Sequence, residues 1–492
     1  MPGSESTDSD GTVTRRRLIQ GGGTLAAGAA ITGLGGAVDD PTDVADEALS
    51  AVTPEARAVY MMPLWYWDTD QVPTGRQKMR EWLDRAEETG LNTVFAWVES
   101  DDLASMLGEP AYAESEYYDF WNPEHRWDPM GELVTEAHQR DIEVHLWYSF
   151  TRYKRSALRI PEYNPDLEVL PPGDPDWASV RLEEWEKGYH DPAHSMVGGE
   201  AVCVNNPACR DWTLEVLSRA FEQYPGLDGL HIEEPGYLAA DRCVCHRCQD
   251  QYAAFFDEDG TNLLDHTYRA TKPYYDDDRA VRVRCHGTNA FVARLHDWWT
   301  DRGTDQVLSF NGSWAWQWDR VRGRNWARWS REGWVPYFFP QIYTDDTDYF
   351  QHATEYAMEA LGDTVIAPIV GLEWNSGSND VTTVLDQIET GRASDGHAGT
   401  TEGGAGLFSG HAMSADVTVG LRGQPYTRST SPHWHGEAES DQSRGDMTRQ
   451  ELEEQDPFVF TPHWRDEAIP GSYTGPPMTE ETFTSLPDAP EF

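Results

Sequence analysis

Short apolar runs alternate with helix-period stretches from residue 59 onward. The runs predict eight strands, at residues 59–67, 92–99, 142–150, 227–233, 307–314, 337–343, 365–373 and 404–410. Helices are predicted between them at residues 76–89, 130–140, 210–223, 278–301, 345–361 and 382–392, with a weaker one near 322–331. Eight alternating units predict an α/β protein with a (β/α)8 TIM barrel. A doubly wound open sheet is the main alternative, but no G-x-G-x-x-G motif follows the first strand.

Two stretches depart from this regular pattern. The connection over residues 151–226 is long and rich in Pro, Gly and Trp, which predicts an insertion after strand three that covers the strand ends. The chain beyond residue 420 is acidic and rich in Pro, Ser and Thr, which predicts an irregular wrapping segment. We therefore expect an export signal at residues 1–40, a linker at 41–57, the barrel at 58–420 and this C-terminal segment at 421–492.

The charge of the chain is strongly negative. Lys and Arg together number 38 against 85 Asp and Glu, a formal net charge of −47, and the positive charge is almost all arginine. Such a charge opposes binding to nucleic acid, so no nucleic-acid partner is expected. Acidic residues lie along the whole chain, which favours a halophilic protein of haloarchaeal type over one with an acidic tail.

The N-terminal residues have the pattern of an export signal. Residues 14–20, Thr-Arg-Arg-Arg-Leu-Ile-Gln, resemble the twin-arginine export motif, and a weakly apolar Gly/Ala stretch follows to about residue 38. That stretch is too glycine-rich for a typical spanning helix, so no integral membrane segment is expected in the mature protein. The expected partner during export is the twin-arginine translocase, and the expected location is extracellular or at the cell surface.

Acidic and aromatic residues cluster at the predicted carboxyl ends of the strands, where the active sites of barrel enzymes lie. Glycosidic cleavage uses two carboxyl groups, and sugar rings pack on aromatic faces beside amide and imidazole partners. We predict Glu233 and Glu373 as the catalytic pair. Strand alternation places Glu233 on the inward face. Twist at the strand end could turn Glu234 inward instead, so Glu234 is the alternative catalytic residue. The predicted sugar-contacting residues are Trp67, Glu99, His145, Trp147, His231, Asn311, Trp314, Gln341, Tyr343 and Trp374.

Four short motifs carry a family resemblance. Residues 144–148 (VHLWY), 228–233 (DGLHIE), 340–343 (PQIY) and 371–374 (GLEW) resemble the family-10-like glycosyl hydrolase barrels, over residues 60 to 411. The resemblance implies a glycoside hydrolase that cleaves an oligo- or polysaccharide, with a retaining mechanism favoured. Glu233 stands where that family usually carries Asp. It would be the acid/base by analogy with β-glycosidase barrels, or the nucleophile by analogy with amylase-like barrels. A barrel that binds carbohydrate or the cell surface without catalysis is the alternative.

Three of the six cysteines form a C-x-C-x-x-C motif directly after strand four. Cys243, Cys245 and Cys248 predict a structural zinc site if Cys209 or Cys203 supplies a fourth thiolate. Disulfides or free buried thiols are the alternatives. No cofactor is expected for catalysis.

Overall fold

Eight parallel strands close into a ring in the computed structural model. It describes residues 56–61, 72–99, 128–149, 179–188, 202–237, 239–267, 278–313, 319, 321–361, 364–374, 377–393, 404–413 and 415–423. Its strands are β1 (Ala56–Met61), β2 (Thr93–Glu99), β3 (Glu143–Ser149), β4 (Gly229–Glu233), β5 (Val307–Ser313), β6 (Tyr337–Ile342), β7 (Val365–Ile366), β8 (Ile369–Gly371), β9 (Glu373–Trp374), β10 (Gly377–Ser378) and β11 (Gly404–Phe408). The ring runs β1–β2–β3–β4–β5–β6–β8–β11 and back to β1, and every pairing in it is parallel.

Helices alternate with these strands along the described chain. They are α1 (Val72–Glu88), α2 (Pro129–His138), α3 (Leu182–Glu186), α4 (Pro207–Gln223), α5 (His246–Phe256), α6 (Leu263–His266), α7 (Asp278–Asp301), α8 (Trp326–Arg331), α9 (Thr347–Ala360), α10 (Val381–Ala393) and α11 (Ala415–Gly423). Local capping explains several starts. Asp128 and Asn206 accept backbone N–H groups and are each followed by a proline in the first turn, a residue whose missing N–H is not needed there.

Strand alternation separates two apolar layers. Residues such as Val94, Val144 and Ile232 face the helices in the larger core. A second cluster fills the barrel interior: Ala56, Ala58, Tyr60, Phe95, Trp97, Trp147, Val307, Phe339, Ala367 and Ile369. Gly229 makes this filling possible, because a Cβ there would lie only 2.6 Å from His145 Nδ1.

The predicted barrel is confirmed, with a broken seventh strand. The sequence predicts one strand over residues 365–373, but β7 and β8 are separated by Ala367 and Pro368. Proline has no N–H to donate to a neighbouring strand, which suits an interruption. Beyond β8 the chain leaves the ring, because β9 pairs antiparallel with β10.

Other differences lie in the connections. The helices α3, α5, α6 and α11 were not predicted; α11 follows the eighth strand of the ring and extends to Gly423, past the predicted boundary at residue 420. The proposed export signal and most of the C-terminal segment lie outside the described residues, as does much of the insertion after β3. Within the described part of the chain, no helix is both long and apolar enough to cross a bilayer.

Candidate active site at the carboxyl end of the barrel

Glu233 is the last residue of β4, and its carboxylate is bound by side chains from three other strands. It lies opposite Asn311 in the β4–β5 register and is 7% exposed. Its Oε2 accepts hydrogen bonds from Trp147 Nε1 at 2.6 Å and from Asn311 Nδ2 at 2.5 Å. Its Oε1 accepts from Gln341 Nε2 at 3.3 Å. The donors come from β3, β5 and β6, so ring closure is what brings them together.

These donors define the chemical character of the carboxyl group. A buried carboxylate loses its hydration and is costly unless other groups bind it. Three N–H donors replace that hydration and favour the ionised form, because each of them binds a negative oxygen best. The arrangement suits a carboxylate that acts as an anion.

A neutral histidine lies on the same strand as Glu233, two residues deeper in the barrel interior. His231 Nε2 lies 3.0 Å from the Tyr60 hydroxyl, and its Nδ1 lies 2.7 Å from Ser309 Oγ. The ring stacks on Phe95 with centroids 4.0 Å apart and planes 13° apart. Burial, together with the nearby His145, holds the pKa of His231 well below 6.5. The imidazole is therefore neutral at neutral pH, with one nitrogen donating and the other accepting.

Tyr60 stays protonated beside it. Burial raises the pKa of Tyr60 well above 10, and the nearby acidic groups of Tyr343 and Glu233 add to the effect. Its hydroxyl can then donate to Nε2 of His231, which leaves Nδ1–H to donate to Ser309. Tyr60 is not among the residues predicted from the sequence, because the predicted site residues lie at strand ends and Tyr60 is placed by the interior of the barrel. Its alternation with Ala56 and Ala58 is the signal that points it inward.

Glu234 takes part in a different network. Its φ of 39° turns the chain, and its backbone N–H donates to Asn311 Oδ1 at 3.1 Å. Its carboxylate accepts from Arg324 Nη2 at 3.0 Å, and Arg324 also binds Asp319 at 2.5 Å. Trp326 Nε1 donates to the other oxygen of Asp319. Because Arg324 and Asp319 are fully buried, this network fixes the turn after β4.

Four predicted residues meet at one place together with Glu233. Trp147, Asn311 and Gln341 bind its carboxylate directly. Tyr343 is half-buried, and burial followed by the charges of Glu233 and Glu234 raises its pKa well above 10. The protonated hydroxyl of Tyr343 is thus a donor near two acidic groups.

The other predicted site residues lie in other parts of the fold, or they lie outside the residues that the structure describes. His145 and His231 are fully buried one layer below Glu233, among the aromatic residues of the barrel interior. Glu373 is exposed on β9 and follows Leu372, whose N–H bonds to Phe408 O at the end of β11. Trp67 and Trp314 lie outside the described residues, as do the side chains of Glu99 and Trp374, whose backbones end β2 and form β9.

Four thiols form a group with metal-ligand geometry. The Sγ atoms of Cys203, Cys243, Cys245 and Cys248 all lie within 4.8 Å of one another and are buried. Of the two sequence candidates for the fourth thiol, the group contains Cys203. Cys209 instead lies in the first turn of α4.

The depressed pKa of His231 gives a testable pH dependence. The unfolded chain takes up a proton near pH 6.5, whereas the folded protein takes it up only at lower pH. The free energy of unfolding should therefore fall as pH drops below about 6.5, by at most about 1.4 kcal/mol per pH unit from this group. His231→Gln should reduce the fall measured by chemical denaturation between about pH 7 and about pH 5.

His352→Gln is the matched control for that measurement, because His352 lies half-exposed on α9. A His231→Gln protein whose unfolding free energy falls as steeply with pH as the wild type would contradict the assignment of a neutral, buried His231.

A family model and several curated proteins match more than half of this chain. A family model described as glycosyl hydrolase-like 10 matches residues 56–385. Glycosyl hydrolase DigH of Escherichia coli K12 is 24% identical over 298 residues, which cover 56% of this chain and 60% of DigH. Glycosyl hydrolase YngK of Bacillus subtilis is 23% identical over 310 residues, covering 59% of this chain and 54% of YngK. The chain thus matches less than two thirds of the length of either relative.

Similar solved structures include two glycosidases. The β-galactosidase of Bacillus circulans sp. alkalophilus has a TM-score of 0.43 and 12% identity, over 73% of this chain and 50% of that one. The endo-β-1,4-mannanase of Thermotoga petrophila has a TM-score of 0.39 and 7% identity, over 73% of this chain and 68% of that one. Because the family model spans more than half of the sequence, this chain belongs to the glycosyl hydrolase-like 10 family.

Proposed function

We propose that the protein hydrolyses O-glycosidic bonds of an oligo- or polysaccharide at the carboxyl end of the barrel. One observation carries the proposal. A nearly buried carboxylate, Glu233, ends β4 and is bound by Trp147, Asn311 and Gln341 from three other strands. Barrel enzymes carry out their chemistry at this end of the strands. Membership of a glycosyl hydrolase-like family supports the same class of reaction.

The donors of Glu233 favour the role of nucleophile for this residue. A nucleophilic carboxylate must be ionised before reaction, and three N–H groups stabilise that form. Attack on the anomeric carbon removes the negative charge of the carboxylate. Before that step, the donors hold its oxygen atoms in place. The β-glycosidase analogy would make Glu233 the acid/base instead, which requires a protonated group. The hydrogen bonds therefore support the amylase-like assignment.

Glu373 is the proposed acid/base partner. It follows the seventh strand of the ring, where Leu372 is hydrogen-bonded to the end of β11. Its exposure leaves the carboxyl group accessible to substrate and to water, both of which an acid/base residue must contact. A retaining mechanism needs the two carboxyl groups about 5–5.5 Å apart when substrate is bound.

Aromatic and amide groups beside Glu233 are the proposed sugar contacts. Trp147 packs edge-on against Trp97, with ring centroids 4.4 Å apart. The ring centroids of Tyr343 and Phe408 lie 5.1 Å apart. Trp97 and Trp147 are buried, so the half-buried rings of Tyr343 and Phe408 offer the apolar faces to a pyranose. Gln341 and the Tyr343 hydroxyl offer hydrogen bonds to its hydroxyl groups. Removal of Gln341 should weaken substrate binding as well as the support of Glu233.

Removal of the Glu233 carboxylate should abolish hydrolysis. Glu233→Gln keeps the shape of the side chain but cannot act as an anion, so turnover of an activated aryl glycoside should fall by about 1,000-fold or more. The assay is hydrolysis of a panel of aryl glycosides and polysaccharides in molar salt. Glu355→Gln, on the outer helix α9, is the control and should keep wild-type turnover.

Azide distinguishes the two roles of the carboxyl groups. In Glu233→Ala the small anion can occupy the vacated space and attack the anomeric carbon, giving a glycosyl azide of inverted configuration. Rescue of Glu373→Ala in this manner, and not of Glu233→Ala, would reverse the assignment. Wild-type turnover in Glu233→Gln would contradict the catalytic role. Binding of polysaccharide without hydrolysis by the wild type would instead favour a carbohydrate-binding barrel.

We also propose that the protein is exported by the twin-arginine route. The proposal rests on Arg15 and Arg16 and on the Gly/Ala stretch that follows them. In the native host, replacement of both arginines by lysine should retain the protein inside the cell, as measured by immunoblot of cells and medium. Undiminished secretion of the doubly substituted protein would contradict this route.

The proposed halophilic character predicts dependence on salt. A net charge of −47 repels itself over about 30 Å at 0.01 M salt but over only about 3 Å at 1 M. The melting temperature should therefore fall when the protein is moved from molar to millimolar sodium chloride. Calorimetry at a series of salt concentrations measures it, and a melting temperature that does not change with salt would contradict the proposal.

A further inference from the structure

Four buried thiols converge beside the chain that follows β4. Cys203 precedes α4, Cys243 and Cys245 precede α5, and Cys248 lies in the first turn of α5. Each of the four is at most 5% exposed. Cys203 Sγ lies 3.5 Å from Cys248 Sγ and 3.7 Å from Cys245 Sγ. We refer to these residues as the tetrathiol cluster.

The spacing of the sulfur atoms matches a tetrahedral metal site. Four sulfurs bound at 2.3 Å to one zinc ion lie about 3.8 Å from one another. A disulfide would bring two of them to about 2.05 Å. We propose that the tetrathiol cluster binds one zinc ion in a closed, structural site, with Cys203 as the fourth ligand. Four protein thiolates leave no open position for substrate, so the ion would not take part in the reaction.

Buried positive charge surrounds the cluster. Arg284 interacts electrostatically with Cys248 and Cys243, and Arg210 interacts with Cys203. Their described hydrogen bonds go to backbone carbonyls rather than to carboxylates, as for Arg210 with Val204 O at 2.7 Å and Arg284 with Val321 O. Zinc with four thiolates carries a net charge of −2. Two buried guanidinium groups near the cluster offset that charge, and Asp241 also interacts electrostatically with Arg284.

Hydrogen-bond donors also point at the sulfur atoms. The Val180 backbone N–H donates to Cys243 Sγ at 3.2 Å, and Asn205 Nδ2 donates to Cys248 Sγ at 3.3 Å. Sulfur accepts such bonds best as a thiolate, and donors to metal-bound sulfur commonly orient the ligands. These contacts suit metal-bound thiolates better than four thiols that each need an acceptor.

The proposed ion would join two connections of the barrel that already touch through buried side chains. Cys203 belongs to the connection after β3, and the other three ligands belong to the connection after β4. Tyr237 links the cluster to the active site, because its hydroxyl lies 3.8 Å from Cys203 Sγ and its N–H donates to Arg322 O at 2.8 Å. Arg322 in turn lies 4.0 Å from the carboxylate of Glu234. Zinc would thus stabilise the turn that follows Glu233.

Metal analysis of the wild-type protein tests the proposal without relying on activity. The full chain, purified from zinc-supplemented medium, should contain about one equivalent of zinc, as measured by inductively coupled plasma mass spectrometry. A strong chelator should remove it and lower the melting temperature by at least about 5 °C, and added zinc should restore it. Thiol titration of the denatured protein should find all six cysteines reduced.

Paired substitutions identify the ligands. Cys203→Ser should lose the zinc, whereas Cys209→Ser and Cys285→Ser, buried thiols outside the cluster, should keep one equivalent. Less than about a tenth of an equivalent of metal in the wild type would overturn the proposal, as would disulfides among the four cysteines in non-reduced peptides. Iron in place of zinc would overturn the choice of metal. Because the metal content of the wild type is measured directly, misfolding of Cys203→Ser would not decide the result.

Discussion

A carboxylate buried at the end of a closed barrel must be bound by donors, because the low-polarity interior gives it no hydration. Glu233 meets this requirement with N–H groups from β3, β5 and β6. Each donor is correctly placed only if the register of its strand against the next is correct. The strand pairing of half the ring is therefore coupled to the position of one carboxyl group.

Asn311 shows how closely the parts of the site depend on one another. Its amide donates to Glu233, while its side-chain and backbone oxygens accept from the backbone N–H of Glu234. One side chain thus orients the candidate nucleophile and fixes the turn behind it. Arg324 and Asp319 hold the far side of the same turn. Two adjacent glutamates consequently have different environments, one among N–H donors and the other in a buried ion-pair network.

Further contacts hold Glu233 in place from the barrel interior and from the connections outside the barrel. In the interior, a neutral His231 joins Tyr60 and Ser309 in a chain of hydrogen bonds enclosed by aromatic rings. Both ring nitrogens of His231 therefore have a hydrogen-bond partner although the ring is fully buried. Outward, the tetrathiol cluster meets the same turn through Tyr237. The carboxyl end of β4 is therefore held from the barrel interior and from the connections outside it.

The sequence alone determined the local features of this protein. Periodicity placed eight strands and the main helices, because side-chain alternation and helical pitch are properties of neighbouring residues. The same alternation put Glu233 on the inward face, and the spacing of Cys243, Cys245 and Cys248 marked a thiol group. Tertiary structure decided what depends on distant residues. It selected Cys203 for the thiol group, turned Glu234 toward Arg324, interrupted strand seven at Pro368 and placed Glu373 on a hairpin outside the ring. Strand register and loop path set those outcomes, and both arise from packing between segments far apart in the chain.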